Sequence, residues 1–208
     1  MKKGDLKKFF KKFWFVVWQD DSFKGWIFSI IFLLIVIKLI FFPLLTLASG
    51  TPLPLVIVES CSMYHGGNLF SNFDNWWKIH ERKYFQEEII KTAFLEFPFK
   101  NGFNKGDILF VTGIKPEKVK VGEIIIFNAG ERNPIIHRIM SIKEENGIYT
   151  FSTRGDNNNG QLFIEKEINQ SQLVGRPIAN VAPYLGWIKL IFFENAKSSE
   201  ERGFCNEN

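Results

Sequence analysis

The sequence predicts a mainly β protein, in which an antiparallel β-sheet domain follows one N-terminal transmembrane helix and carries a small helical insertion. Three observations support this fold class: a long apolar run over residues 26–47, a series of short β-like stretches after residue 54, and one helical pattern over residues 74–94. A chain of 208 residues has room for one anchor and a single compact domain.

The apolar run 26–47 contains one charged residue, Lys38, and is long enough to span a bilayer. A buried core helix is the first alternative, but a domain of this size cannot wrap a helix that is apolar on every face. A cleavable signal is the second, but the run is long and follows a charged leader. We predict an uncleaved anchor over 25–48, with Lys38 off-centre or facing a partner and a kink or end at Pro43.

The basic character of the chain is confined to its leader, residues 1–24. The leader holds seven lysines and three aspartates, which give the whole net charge of +4, so the remaining residues are neutral overall. We therefore predict no nucleic-acid surface, a cytoplasmic leader, and a domain on the outer face of the membrane. The leader itself is either an amphipathic helix on anionic lipid or a solvated tail. Two cysteines are too few for a disulfide framework.

The domain is predicted to occupy residues 49–195, before a polar, frayed tail over 196–208. Its strands are expected at 54–59, 108–112, 123–127 and in a hairpin of 135–142 and 148–153 around Asn146-Gly147. The insertion covers about 64–105. It contains a helix over 74–94, capped by Asp74 with Trp77, Phe85, Ile89 and Ala93 on one face, and a return loop over 97–107.

Hydrolytic chemistry by a serine requires a base within hydrogen-bond reach and donors for the oxyanion. The chain has three histidines, His65, His80 and His137. His137 alternates with isoleucines on a predicted strand, so it points to the apolar side, where it needs partners. On this pattern alone, His137 fits a core histidine at least as well as a base, and Ser62 fits an ordinary loop serine.

A set of short motifs resembles signal peptidase I. Ser60-Cys61-Ser62-Met63 resembles the family's nucleophile box, and His137-Arg138 its H-R pair. Further boxes follow in the family's order: Gly106-Asp107-Ile108-Leu109, Val121-Gly122-Glu123-Ile124, Gly155-Asp156-Asn157-Asn158, Leu173-Val174-Gly175-Arg176 and Pro183-Tyr184-Leu185-Gly186. Histidine replaces the bacterial lysine, which indicates the archaeal and endoplasmic-reticulum branch. The insertion after Met63 favours an archaeal-like variant.

The resemblance implies a serine endopeptidase that removes signal peptides from exported preproteins at Ala-x-Ala sites, without metal or cofactor. Ser62 would be the nucleophile, His137 the general base and Asp156 the residue that orients or stabilises the imidazolium. The Ser62 N–H and the Ser60 hydroxyl would hold the oxyanion. The implied partners are signal peptides, the lipid bilayer and the protein-translocation channel, at the plasma membrane or an equivalent export membrane.

Three departures from the family pattern bear on this assignment. Cys61 stands where the family has glycine, and Tyr64-His65 stands where proline usually follows the methionine. Relatives of this branch carry a second acidic residue where this chain has Gln161 and Leu162. Glu165 is the alternative acid, provided that the loop 157–168 folds back.

Two other functions stay open: an inactive single-pass module of the same fold, and a self-cleaving protease of the phage-repressor type. The apolar stretch 181–193 is too short to span a bilayer, and it either docks on the membrane surface or lines the core.

Overall fold

The computed structural model describes residues 3–66, 73–130 and 133–205. It divides the chain between Ala48 and Ser49 into two compact units.

The N-terminal unit is helical. It comprises α1 (Lys3–Trp18), α2 (Phe23–Val36), a π-helical turn (Ile37–Phe41) and α3 (Phe42–Ser49). The Ser22 side chain caps α2 by accepting the Gly25 N–H at 3.1 Å. Residues Phe23–Ser49 form one continuous helix of 27 residues, which by length and composition is the one candidate membrane span among the described residues.

Of the two alternatives predicted at Pro43, a kink or an end, the end is wrong, because the helix continues to Ser49. Proline has no N–H to donate to the preceding turn, and an α-helix must otherwise adjust around it. Here the turn before Pro43 takes the wider π form, in which the Phe42 N–H donates to the Ile37 carbonyl. The single charge of the apolar run, Lys38, lies on this π-helical turn.

The second unit is built on one antiparallel sheet. Its strands are β1 (Leu55–Ile57), β2 (Ile108–Thr112), β3 (Ile124–Phe127), β4 (Ile135–Glu145), β5 (Ile148–Arg154), β6 (Ile168–Asn169) and β7 (Leu173–Ala182), in the order β1-β2-β7-β3-β4-β5-β6. The predicted fold class is thus confirmed. The β4–β5 hairpin turns at Asn146 and Gly147, both with positive φ, as a tight two-residue turn requires.

Two clusters of buried side chains form the core of the sheet. One comprises Val58, Met63, Phe103, Leu109 and Ile124. The other comprises Val119, Ile125, Phe127, Ile139, Phe151 and Ile168. The first cluster fixes the segment that follows β1, because Met63 is 1% exposed within it.

The insertion forms two helices, α4 (Phe73–Phe85) and α5 (Lys91–Leu95), rather than the single predicted one. Glu88 has a positive φ in the break between them. Phe85 is half-exposed, so the predicted four-residue face is wrong. The insertion instead buries Phe73, Trp76, Trp77, Tyr84, Ile89 and Phe94 together with Met140 of β4. Asp74 lies within the first turn of α4 and pairs with Lys91 at 2.9 Å.

The C-terminal segment contains α6 (Trp187–Leu190) and is attached to the domain. Lys105 Nζ donates to Glu194 at 2.8 Å and to the carbonyls of Glu201 and Gly203 at 2.6 and 3.0 Å. A disulfide joins Cys205 to Cys61. The expectation of a frayed tail is therefore wrong for residues 196–205, and the pairing of the two cysteines was not predicted.

Short 3₁₀ turns complete the structure: Pro116–Lys118, Phe163–Glu165, Gln170–Gln172, Glu194–Ala196 and Ser199–Glu201.

Candidate active site

Ser62 lies in a tight turn that follows the edge strand β1. The Tyr64 N–H donates to the Cys61 carbonyl at 3.1 Å, and the Phe103 N–H donates to the Met63 carbonyl at 2.7 Å. Met63 is buried in the core, whereas Ser62 is partly exposed. The buried Met63 side chain therefore fixes the turn to the core, while the Ser62 side chain lies at the surface.

The turn that follows β5 holds the backbone of Ser62. The Asn157 N–H donates to the Ser62 carbonyl at 2.7 Å, and the Asn157 side chain donates to the Cys61 carbonyl at 3.1 Å. A Cβ on Gly155 would lie 2.8 Å from the Ser62 carbonyl oxygen, so only glycine allows this close approach. The Gly155-Asp156-Asn157 motif thus positions the serine turn through main-chain contacts.

His137 lies on β4, opposite Ile125 of β3, and is 4% exposed. Its Nδ1 is hydrogen-bonded to Glu165 Oε1. The same carboxylate oxygen accepts the Thr153 hydroxyl at 3.2 Å, and Oε2 accepts the Leu162 N–H at 2.8 Å. A carboxylate at Nδ1 favours the tautomer with its proton on that nitrogen, so Nε2 is left as the basic atom.

The loop 157–168 folds back against β5 and brings Glu165 to His137. Its 3₁₀ turn Phe163–Glu165 buries the carboxylate completely, while the neighbouring Phe163 is 87% exposed. Gln161 fixes the loop by donating to the Ser152 hydroxyl at 2.6 Å and to the Thr153 carbonyl at 2.8 Å. A buried carboxylate requires partners, and His137 is one of them.

Asp156, the first acid predicted for the site, lies in a different cluster. Its carboxylate accepts bonds from Arg138 Nη2 at 2.7 Å and from the Tyr84 hydroxyl at 2.9 Å, and it contacts His65 Nε2 at 2.9 Å. Burial alone would raise the pKa of Asp156, but the charge of Arg138 and the bonds from His65 and Arg138 outweigh it and hold the pKa well below its usual value. The structure thus brings Glu165, and not Asp156, to His137.

Arg138 connects this cluster to the sheet and to the return loop. Its Nη1 donates to the Gly122 carbonyl at 2.8 Å and to the Pro98 carbonyl at 3.0 Å, and its side chain is fully buried. Desolvation would lower the pKa of Arg138, but Asp156 raises it above its ordinary value. The Arg138–Asp156 pair is therefore a fully ionised buried pair beside the serine turn.

His65 fastens the insertion to Asp156. Its ring stacks on Trp76 with centroids 3.6 Å apart, and it is 2% exposed. Desolvation lowers the pKa of His65 in spite of the bond to Asp156. Gly102 makes this packing possible, because a Cβ there would lie 2.0 Å from the Met63 carbonyl oxygen and 2.5 Å from the His65 ring.

The hydroxyls of Ser62 and Ser60 are 3.0 Å apart and share a hydrogen bond. Among the described residues, Ser62 forms no hydrogen bond with His137, and its N–H has no acceptor. Arg154, the last residue of β5, pairs with Arg138, so Gly155, where the turn that holds Ser62 begins, is at the position opposite His137. A free N–H and a nearby hydroxyl are donors suited to an oxyanion, and serine–base bonds often close only when substrate binds.

Sequence reasoning missed the cluster of His65, Tyr84 and Lys83 around Asp156. Tyr84 and Lys83 lie more than seventy residues from Asp156 in the chain, and a helical pattern gives no signal for such a contact. For the buried ion pair of Arg138 with Asp156, the sequence signal was the place of Arg138 in the H-R motif. In the described part of the chain, no group of three His, Cys, Asp or Glu side chains is arranged to hold a metal ion.

One antiparallel sheet domain thus carries both the turn that holds Ser62 and the buried His137–Glu165 pair. No protein-family model matches the chain. It is similar to the signal peptidase complex catalytic subunit SEC11C of Homo sapiens, with 34% identity over 106 residues, 46% of this chain and 53% of that protein.

Two further relatives carry similar names. The signal peptidase complex catalytic subunit sec11 of Dictyostelium discoideum is 44% identical over 103 residues, 44% of this chain and 54% of that protein. The subunit SEC11 of Candida tropicalis is 29% identical over 99 residues, 45% of this chain and 59% of that protein. The chain thus spans little more than half the length of these relatives.

Proposed function

We propose that this protein is a membrane-anchored serine endopeptidase of the signal peptidase I type, which removes signal peptides from exported preproteins after small residues. The observation that carries the proposal is the buried His137–Glu165 pair, whose histidine lies on β4 next to the turn that holds Ser62. The order of the motifs and the similarity to proteins named as catalytic subunits of a signal peptidase complex support it.

In this mechanism the Ser62 hydroxyl oxygen attacks the scissile carbonyl, and its proton passes to His137 Nε2. The imidazolium then gives that proton to the leaving amine, which frees the mature protein and leaves an acyl-enzyme. Water attacks the ester in a second step with His137 again as base, and Ser62 regains its proton. The substrate chain would lie extended along a strand edge, with small side chains before the scissile bond.

We assign the role of third catalytic residue to Glu165. A cation that forms on His137 in a site without water needs a fixed negative partner. The Glu165 carboxylate contacts Nδ1 directly and is itself held by the Thr153 hydroxyl and the Leu162 N–H. Asp156 then acts as a positioning residue, because its charge is neutralised by Arg138 and its turn holds the Ser62 carbonyl.

The oxyanion would be held by the Ser62 N–H and the Ser60 hydroxyl. The N–H has no acceptor in the described residues, and the Ser60 hydroxyl lies 3.0 Å from the attacking oxygen. Two preorganised donors at this place stabilise the charge that develops on the carbonyl oxygen.

The helix Phe23–Ser49 would anchor the enzyme with its basic leader in the cytoplasm and the sheet domain on the outer face of an export membrane. The disulfide between Cys61 and Cys205 supports this side, since such bonds persist in oxidising compartments. An apolar patch after β7 would dock on the lipid surface. It comprises Leu185, Ile188, Ile191, Phe192 and Phe193, all of which are about half or more exposed. The partners are signal peptides, the bilayer and the protein-translocation channel.

A cleavage assay in trans separates this function from the two alternatives. The full chain, purified in a maltoside detergent, is mixed with a preprotein that has one Ala-x-Ala site, and mass spectrometry locates the cut. We expect cleavage after the second alanine and none when bulky residues replace both alanines. An inactive module leaves the preprotein intact, and a self-cleaving protease cuts only its own chain.

A further inference from the structure

A cavity of about 290 Å³ lies between α4 and the segment that follows β5. We refer to it as the basic cavity. It is lined by three cationic side chains, Arg82 and Lys83 from α4 and Arg154 from the end of β5. The remaining lining residues are Ile79, His80, Gln86, Asn158 and Asn159. No carboxylate is among the lining side chains in the described part of the structure.

Lys83 and Arg154 of the basic cavity form no ion pair with a carboxylate among the described residues. Arg154 Nη2 donates to the Asn159 carbonyl, but its buried Nε–H has no acceptor among the described residues. Lys83 is 7% exposed and donates only to the carbonyls of Asp156 and Asn158. A buried cation is costly without a compensating anion. The nearest acid, Asp156, is already engaged by Arg138, Tyr84 and His65.

The pKa of Lys83 is lowered to about 7, mainly because its ammonium group is desolvated. The charge of Asp156 opposes this shift, and the charges of Arg154 and Arg138 add to it. The titratable or charged groups around the ammonium are His80, Tyr84, Arg138, Arg154 and Asp156. An anion bound beside Lys83 would favour its charged form, so binding above pH 7 should be accompanied by proton uptake.

We propose that the basic cavity is a binding site for a phosphate group. The Arg82 and Arg154 guanidinium groups match phosphate oxygens in shape and charge, and both side chains line the cavity beside Lys83. The phosphate is either a free ion or the headgroup of a phosphatidic acid molecule. The site is separate from the serine turn but shares with it the segment 155–159, which holds the Ser62 carbonyl.

The test uses isothermal titration calorimetry on the full chain in a maltoside detergent, with inorganic phosphate as the probe. We expect Arg82→Gln to weaken phosphate binding by about tenfold or more, the effect of one lost charge-assisted hydrogen bond. Arg82 is exposed, so its replacement should leave the fold intact. Lys78→Gln is the matched control, because Lys78 is on the same helix but does not line the cavity. It should bind as the wild type does.

Sulfate provides a second measurement, since it is a tetrahedral dianion that does not titrate near neutral pH. Titrations at pH 8 in two buffers of different ionisation enthalpy should show proton uptake by the wild type. The uptake should disappear in Lys83→Met. A wild-type protein that binds neither anion, or equal weakening by Arg82→Gln and Lys78→Gln, would overturn the proposal.

The same assay distinguishes the two sources of phosphate. A soluble short-chain phosphatidic acid is titrated in the same way. If it binds more tightly than inorganic phosphate, and if Arg82→Gln weakens its binding as well, the ligand is a lipid headgroup. Equal affinity identifies free phosphate. Both results support the site, and neither depends on the peptidase activity of the chain.

Discussion

Replacement of Glu165 by glutamine tests the assignment of the third catalytic residue. The change removes one negative charge at His137 Nδ1 and keeps the size of the side chain. The carboxylate is fully buried and has three protein partners, His137, Thr153 and the Leu162 N–H. In serine–histidine–acid hydrolases, loss of the acid's charge costs about 10⁴-fold in kcat, or about 5 kcal/mol of transition-state stabilisation.

A glutamine at position 165 can change the tautomer of His137, which would lower kcat strongly. Its carbonyl oxygen can face either the Leu162 N–H or His137, and an NH₂ group that faces Nδ1 would select the tautomer with the proton on Nε2. In that tautomer, His137 cannot take the proton of Ser62. We expect a loss of about 10²- to 10⁴-fold in kcat, with a melting temperature that changes little.

Single-turnover cleavage of one preprotein by a set of purified variants measures this loss. Glu167→Gln is the matched control, because Glu167 is exposed two residues away, and we expect wild-type rates from it. Glu165→Asp should recover part of the activity by keeping the charge. Wild-type kcat in Glu165→Gln, together with loss of chemistry in a stably folded Asp156→Asn, would refute the reasoning and return the role to Asp156.

Three further perturbations follow from the structure. Because the pKa of Lys83 falls to about 7, the unfolded chain binds more protons above that pH, and urea denaturation should show stability that rises by about 2 kcal/mol from pH 7 to pH 9. Lys83→Met should remove this rise, and an unchanged pH dependence would contradict the burial argument. Cys205→Ser opens the link to Cys61 across 144 residues and should lower the free energy of unfolding by about 2–5 kcal/mol; an unaltered urea midpoint would argue against the bond. Protease added outside intact cells should digest the domain and spare the leader, whereas digestion of the leader alone would reverse the topology.

The sequence was sufficient for five of the seven strands because those strands carry local signals, whereas β6 and β7 were not predicted. The apolar run 108–112 predicts a strand, and Asn146-Gly147 predicts a hairpin turn, each from only a few residues. The helical insertion was predicted as one helix, since nothing in its apolar spacing marks the break at Glu88. The docking of the tail depends on Lys105 and on a disulfide between distant residues, which no local pattern specifies.

Only the part of the site that carries local sequence signals could be predicted. Ser62 and His137 stand in motifs. The acid that contacts His137 is set by how the loop 157–168 folds back, and the sequence offered two candidates, Asp156 and Glu165. Asp156 was preferred because it belongs to a motif, whereas its carboxylate faces Arg138. Glu165 reaches His137 through a short 3₁₀ turn that has no distinctive sequence.

Cleavage of a preprotein by variants of Ser62 and His137 tests whether these two residues carry out the reaction. Ser62→Ala and His137→Ala are incubated in trans with a preprotein that carries one Ala-x-Ala site, alongside the wild type, and the products are weighed by mass spectrometry. We expect a single cut after the second alanine by the wild type and a loss of several orders of magnitude in rate in each variant. Cleavage at that site by either variant at the wild-type rate would contradict it.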